Sequence, residues 1–166
     1  INPTSTTGFD PQRLVISRFG ELYLINGASV ARYDPRTTPM TLLSAFTPSE
    51  LPDAIAYDDK NDTIVILSEP PALGSRRLIT FPRTLSGFGT DRPVPNAYAG
   101  EAYVQPDADA ASAYFICSEG GGVLRRYEVQ AGDLVVTDSI VHIGGSLTAL
   151  NITDANRVLY ANNGVL

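Results

Sequence analysis

Apolar residues along this chain come in short runs, each cut off by a small or polar turn. The clearest is Ile64-Val65-Ile66-Leu67. It recurs as Leu22-Tyr23-Leu24-Ile25, as Tyr114-Phe115-Ile116-Cys117 and as Val158-Leu159-Tyr160-Ala161. The turns that follow are Asn26-Gly27, Ser68-Glu69, Ser118-Glu119 and Asn162-Asn163-Gly164. The runs start 42, 50 and 44 residues apart, the period of a stacked sheet unit. Nowhere do apolar residues recur at i, i+3 and i+4 over three turns, so the pattern predicts strands and not helices. The one exception is residues 47–53, where Ser49 is placed to cap a single helical turn that Pro52 ends.

Taken in order, the chain reads as an N-terminal arm and a repeated sheet domain. Residues 1–9 are polar and rich in Thr, with no periodicity. A first unit, residues 10–52, holds apolar stretches at 13–17, 21–25, 29–33 and 40–46. Asn26-Gly27 predicts a type I′ hairpin, whose two central positions both need positive φ. A second unit, 53–100, places strands at 54–57, 63–67 and 77–81; its last stretch, 85–96, is rich in Gly and Pro and gives a faint strand signal. Here Pro82-Arg83-Thr84 echoes Pro35-Arg36-Thr37 of the first unit. A third unit, 101–145, has strands at 101–104, 112–117, 123–129 and 134–143. The remainder, 146–166, supplies the first two strands of a fourth unit. The predicted fold is all-β, with four-stranded antiparallel blade-like repeats and about three and a half units.

This order of strand, Asp-containing turn, strand, Gly-rich turn, strand, long connection and strand resembles the blades of β-propellers. Pro106-Asp107-Ala108 is similar to the turn that precedes the second strand in degenerate WD-type and lactonase-like repeats. Asp58-Asp59 and Thr153-Asp154 hold its place in neighbouring units. The WD dipeptide itself is absent, and the chain has no Trp. Loose repeats of this kind also resemble those of phage tail and head proteins. The resemblance spans about residues 10–166 and implies a partial propeller. Three and a half blades do not close a ring of usual size, so the open end leaves apolar sheet to be covered. A larger parent chain, a second copy (three and a half doubled is seven) or a partner protein would each cover it.

Composition narrows the setting. The chain has 166 residues and a net charge of -6, which argues against a general nucleic-acid or anionic-membrane surface. No apolar run is long enough to span a bilayer, and no signal peptide is recognisable. The expected setting is soluble, extracellular or virion-associated. The chain begins with Ile and not Met, which marks it as processed or as a piece of something longer. The one cysteine, Cys117, sits inside an apolar run and reads as a small buried hydrophobe.

Candidate chemistry is sparse. Asp53 and Glu101 open the first strands of units two and three, while Glu69 and Glu119 follow second strands. The lactonase likeness implies that such carboxylates, with Asn26 or Asn162, hold Ca2+ or Mg2+ at one end of a central channel. The acidic cluster 58–62 lacks the Gly and distal Glu of an EF-hand loop and reads as a hairpin turn. His142, the only histidine, has no Gly-x-Ser-x-Gly elbow to serve. Gly120-Gly121-Gly122 leads into no helix and reads as a flexible hairpin, not a phosphate cradle. The pairs Arg76-Arg77 and Arg125-Arg126 are expected to make ion pairs with turn carboxylates between blades, the alternative being recognition of an acidic partner. Asn61-Asp62-Thr63 and Asn151-Ile152-Thr153 fit the N-glycosylation pattern.

These features point to a non-enzymatic structural or protein-interaction module, one part of a virion or multisubunit complex. It would bind a protein partner or self-associate through open blade edges, with no cofactor. The alternatives are a half-ring of a lactonase-like, cation-dependent hydrolase and a ligand- or carbohydrate-binding propeller.

Overall fold

The computed structural model describes residues 13–69, 76–87, 89–95, 102–118, 123–141, 147–152 and 158–162. Among these residues fourteen strands form four antiparallel sheets. Sheet 1 runs β1 (Leu14–Ile16), β2 (Leu22–Asn26), β3 (Ser29–Asp34) and β4 (Thr41–Phe46) in chain order. Sheet 2 repeats that order with β5 (Pro52–Asp58), β6 (Thr63–Ser68), β7 (Arg77–Pro82) and β8 (Thr90–Pro93). Sheet 3 has β9 (Ala102–Pro106), β10 (Ala113–Ser118), β11 (Val123–Gln130) and β12 (Asp133–Val141). Sheet 4 is the pair β13 (Leu147–Ile152) and β14 (Val158–Asn162). The first strands gather, with β5 packed against both β1 and β9, and β9 against β13. This is the blade arrangement of a propeller, in which sheets stack around a shared centre.

The repeated apolar run is explained by what covers sheet 2. Successive strand residues point to opposite faces. Ile55, Ile64, Ile66, Ile79 and Phe81 pack with Tyr23, Ile25 and Val30 of sheet 1. Ala54, Ala56, Val65, Leu67 and Leu78 pack with Val104, Tyr114, Ile116 and Tyr127 of sheet 3. Both faces are buried, so Ile64 to Leu67 are all fully enclosed and no polar residue interrupts them.

Two local expectations are corrected. The β2–β3 hairpin pairs Asn26 with Ser29, so its turn is Gly27-Ala28 and lies one residue later than expected. Of these two only Gly27 has positive φ, the pattern of a turn with Gly first. Residues 47–53 make no helical turn. Pro52 instead begins β5, where it pairs with Ser68, and the Glu69 amide donates to the Leu51 carbonyl at 2.8 Å.

The faint fourth strand of sheet 2 exists because of Gly89. A Cβ at this position would lie 1.8 Å from the Thr80 carbonyl oxygen, so only glycine lets the chain pass close enough for Thr90 to pair with Thr80. Gly89→Ala is expected to push β8 off β7 and to cost about 1–3 kcal/mol. Urea unfolding would show it as a lowered midpoint; an unmoved midpoint would refute the close approach.

Candidate functional site

The residues proposed from sequence as metal ligands are dispersed in role. Asp53 lies in β5, 8% exposed, and its Oδ2 accepts a hydrogen bond from Arg76 Nη1 at 2.5 Å. Arg76 is 2% exposed and also donates to the Ser68 carbonyl at 2.9 Å. Glu69 is exposed just after β6. Asn26 ends β2 and is exposed; Asn162 ends β14. Glu101 and Glu119 fall outside the described residues, as do His142 and Gly120 to Gly122. Among the described residues no three His, Cys, Asp or Glu side chains gather to hold a metal ion.

The turn aspartates are structural in a consistent way. Asp58 Oδ1 accepts from the amides of Lys60 and Asn61, and Oδ2 accepts from the Asn61 side-chain amide at 2.8 Å. Asp107 Oδ1 accepts from the amides of Asp109 and Ala110, and Oδ2 from Arg126 Nε. Burial works to raise the Asp107 pKa, but those backbone donors and Arg126 outweigh it and hold it below the usual carboxylate range. The two turns flank a cleft of about 250 Å3 that also takes in Tyr57 and Gln105. Cys117 is fully buried, and burial pushes its thiol up to about 11, the inert state expected for a core cysteine.

Three of the four arginines expected to bridge blades make ion pairs within their own sheets. Arg76 and Arg77 pair with Asp53 and Asp91, and Arg126 pairs with Asp107 and Glu128, each inside its own sheet. The bridges between sheets 1 and 2 come from Arg18 and Arg83. Arg83 Nη1 reaches both oxygens of Glu21 at 2.7 Å, and Arg83 Nε reaches Asp62 at 3.2 Å. Glu21 also accepts from Arg32 and, at 2.8 Å, from the Tyr23 hydroxyl. Phe19 lies under the guanidinium groups of both Arg83 and Arg18, at 4.3 and 4.9 Å. Arg83 lies in Pro82-Arg83-Thr84, which echoes Pro35-Arg36-Thr37 of sheet 1. The two arginines differ in what they meet. Arg83 crosses to sheet 1, whereas Arg36, with its side chain 71% exposed, folds back onto Asp34 at 2.8 Å.

That difference marks the surface where sheet 1 lacks a neighbour. Register places Ile16, Leu22, Tyr33 and Leu42 in one row across the sheet, and Leu14, Leu24, Ala31 and Ala45 in the next. These rows lie on the face opposite Tyr23, Ile25 and Val30, which sheet 2 covers. Ile16 is 59% exposed and Leu42 54%. A large side chain of this kind singly on a surface is ordinary, but two full apolar rows on one sheet face are not. Met40, just before β4, and Leu43 within it are also exposed.

No protein-family model matches this chain, and no curated protein matches it. Solved structures do match its fold. One is a protein of unknown function from Desulfotomaculum acetoxidans, with a TM-score of 0.67 and 15% identity, matched over 95% of this chain and 50% of that one. Another is the WD40 domain of Toxoplasma gondii coronin, with a TM-score of 0.60 and 13% identity, matched over 91% of this chain and 42% of that one. The chain therefore spans about half the length of the solved chains it matches or less. No helix among the described residues is long and apolar enough to cross a membrane. At these identities the likeness concerns the fold alone, and the fold is all-β, made of four-stranded antiparallel blades like those of a β-propeller.

Proposed function

We propose that this chain is a non-enzymatic protein-interaction module, part of a larger assembly, and that it works through the open face of sheet 1. The observation that carries this is the pair of apolar rows on the face opposite sheet 2, in which Ile16 and Leu42 are exposed, Leu14, Leu22, Leu24 and Tyr33 are half-buried and Ala31 is buried. The seams between sheets 1 and 2 and between sheets 2 and 3 are built by burying apolar faces of this kind. Burial is worth about 25 cal/mol per Å2 of apolar surface, so a face of this kind favours whatever sheet can lie on it. Arg36, the counterpart of the arginine that ties sheet 2 to sheet 1, stands exposed near the β3–β4 end of that face.

Light scattering on the intact chain tests this reading. Wild-type protein is expected above its 17.8 kDa chain mass, while Ile16→Lys/Leu42→Lys stays at that mass. Both positions are exposed, so charging them leaves the fold intact. A wild-type chain that stays at monomer mass, indistinguishable from the variant, would overturn the proposal.

A further inference from the structure

We infer that the cleft between sheets 2 and 3, where the turns of Asp58 and Asp107 meet, is a binding site for an arginine side chain carried by a partner protein. The site is separate from the open face of sheet 1 and does not rest on it.

The two seams use equivalent positions, so what fills one shows what the other lacks. Gly20, Asp62 and Ser112 each stand two residues before the repeated apolar run, and all three have positive φ. The Arg83 amide donates to the Asp62 carbonyl at 3.1 Å and the Val129 amide to the Ser112 carbonyl at 3.0 Å, so Val129 holds in sheet 3 the place of Arg83 in sheet 2. Asp58 and Asp107 each accept from the amides two and three residues on, so Ala108 holds the place of Asp59. Ile16 pairs with Leu22 as Tyr57 pairs with Ile64, so the sheet 1 counterpart of Asp59 is Arg18. Between sheets 1 and 2, Arg83 reaches back to Glu21 and Arg18 reaches forward to Asp59. Between sheets 2 and 3 the same two places hold Val129 and Asp59, and neither carries a guanidinium across.

Two independent features of this second seam are unmet. The first is a hydroxyl. Thr63 follows Asp62 as Glu21 follows Gly20, so it stands where Glu21 meets Arg83. It shares the face of Val65 and Leu67, toward sheet 3, and its Oγ1 is buried with no hydrogen-bond partner among the described residues. A buried polar atom in that state is a cost that a donor relieves. The second is a charge. Asp58 pairs with Thr63 in register, lines the cleft and is buried. Its oxygens accept from the amides of Lys60 and Asn61, all neutral donors, whereas Asp107 across the cleft has Arg126. A buried carboxylate without a cation favours one arriving. A guanidinium meets both needs, since its planar fork gives a positive charge and several donors at once. The protein uses it this way in the first seam, where Arg83 serves Glu21 and Asp62 together. No arginine lines the cleft, which has a volume of about 250 Å3. In the first seam the guanidinium arrives on a side chain held by a turn, the form in which a partner protein presents one.

An NMR titration of the intact chain tests the site. The probes are the peptide Gly-Arg-Gly blocked at both ends, the same peptide with neutral citrulline in place of arginine, and agmatine as a free guanidinium. The arginine peptide is expected to give saturable shifts at the amides of Asp58, Asp59, Lys60, Asp107 and Ala108, and the citrulline peptide none. Asp58→Asn keeps an acceptor for the turn amides and removes the charge, so it should bind the arginine peptide weaker by roughly tenfold. Ala108→Arg places a guanidinium at the cleft from within and should block the peptide. Circular dichroism checks that Asp58→Asn keeps its strands; if it does not, Ala108→Arg decides. Ile16→Lys/Leu42→Lys should bind the peptide as wild type does, since those residues lie on the far face of sheet 1. An arginine peptide that gives no saturable shift, a citrulline peptide that binds equally, or affinity that the cleft variants leave unmoved would overturn the inference. Agmatine binding roughly tenfold tighter than the peptide would overturn a partner protein as the source of the guanidinium. Loss of binding in Ile16→Lys/Leu42→Lys, with its strands intact, would overturn the separateness of the two sites.

Discussion

Asp53→Ala is expected to lower stability by about 3–5 kcal/mol, a large part of what holds a domain of this size together. Asp53 and Arg76 are both buried, and the substitution removes the carboxylate that pairs with Arg76 at 2.5 Å in the sheet 2 interior. What is lost is less the attraction itself than the compensation it gives to a guanidinium already taken out of water. The Ser68 carbonyl continues to accept from Arg76, but a neutral acceptor does not balance a full charge. For a chain of 166 residues this corresponds to a melting temperature lower by roughly 10 °C. The double variant Asp53→Leu/Arg76→Met should lose less than Asp53→Ala alone, because neither charge then remains buried. A loss under about 1 kcal/mol for Asp53→Ala would show that Arg76 finds another partner. The same melts with excess EDTA address Asp53 as a cation ligand. With the carboxylate spent on Arg76, wild type should melt unchanged; a lowered melting temperature would return Asp53 to a cation.

How much of this was legible in the sequence depended on whether the signal was periodic or long-range. Ile64 to Leu67 announced sheet 2 because burial on two faces leaves an uninterrupted apolar run, and the recurrence of that run at a fixed period announced the other sheets. Thr90 to Pro93 gave almost no signal, since an outer strand with one neighbour needs no apolar alternation. Its position depends on the missing Cβ of Gly89 against Thr80. The Asn26-Gly27 hairpin was placed one residue early because Asn-Gly satisfies a turn locally, while the register of β2 on β3 is decided by which face meets sheet 2. Asp107 and Asp58 were readable as equivalent, because a turn capped by its own aspartate is a local feature. The seam of Glu21 and Arg83 was not, being 62 residues apart in the chain. The same holds for Asp53 and Arg76, 23 apart, where an acid at a strand start looks identical whether it waits for a cation or for an arginine. An open end followed from the blade count, but which residues line the open face of sheet 1 needed the registers.

Acid should weaken the seam between sheets 1 and 2 before it unfolds the rest, and Glu21 is the group that decides this. Burial alone would raise its pKa, but hydrogen bonds from Arg32, Arg83 and Tyr23 outweigh burial and bring it from 4.5 down to about 2. A carboxylate whose pKa is depressed on folding contributes stability above its unfolded value. That contribution is complete above about pH 4.5 and is lost as pH falls toward about 2. A shift of this size corresponds to something on the order of 3 kcal/mol. Other carboxylates fall in the same direction, Asp62 and Asp107 among them, so the wild-type acid curve does not isolate Glu21. Comparison with Glu21→Gln does. The variant leaves Arg32 and Arg83 converging on a neutral amide, so at neutral pH it should be less stable than wild type by about that amount. The gap should narrow steadily as urea midpoints are taken from about pH 5 down to about pH 2.5, because protonation turns the wild-type Glu21 into much the same neutral group. A gap that stays constant over that range would mean that Glu21 holds the seam by shape and not by charge. The arginine bridge would then be a consequence of the stacking of sheets 1 and 2 and not one of its causes.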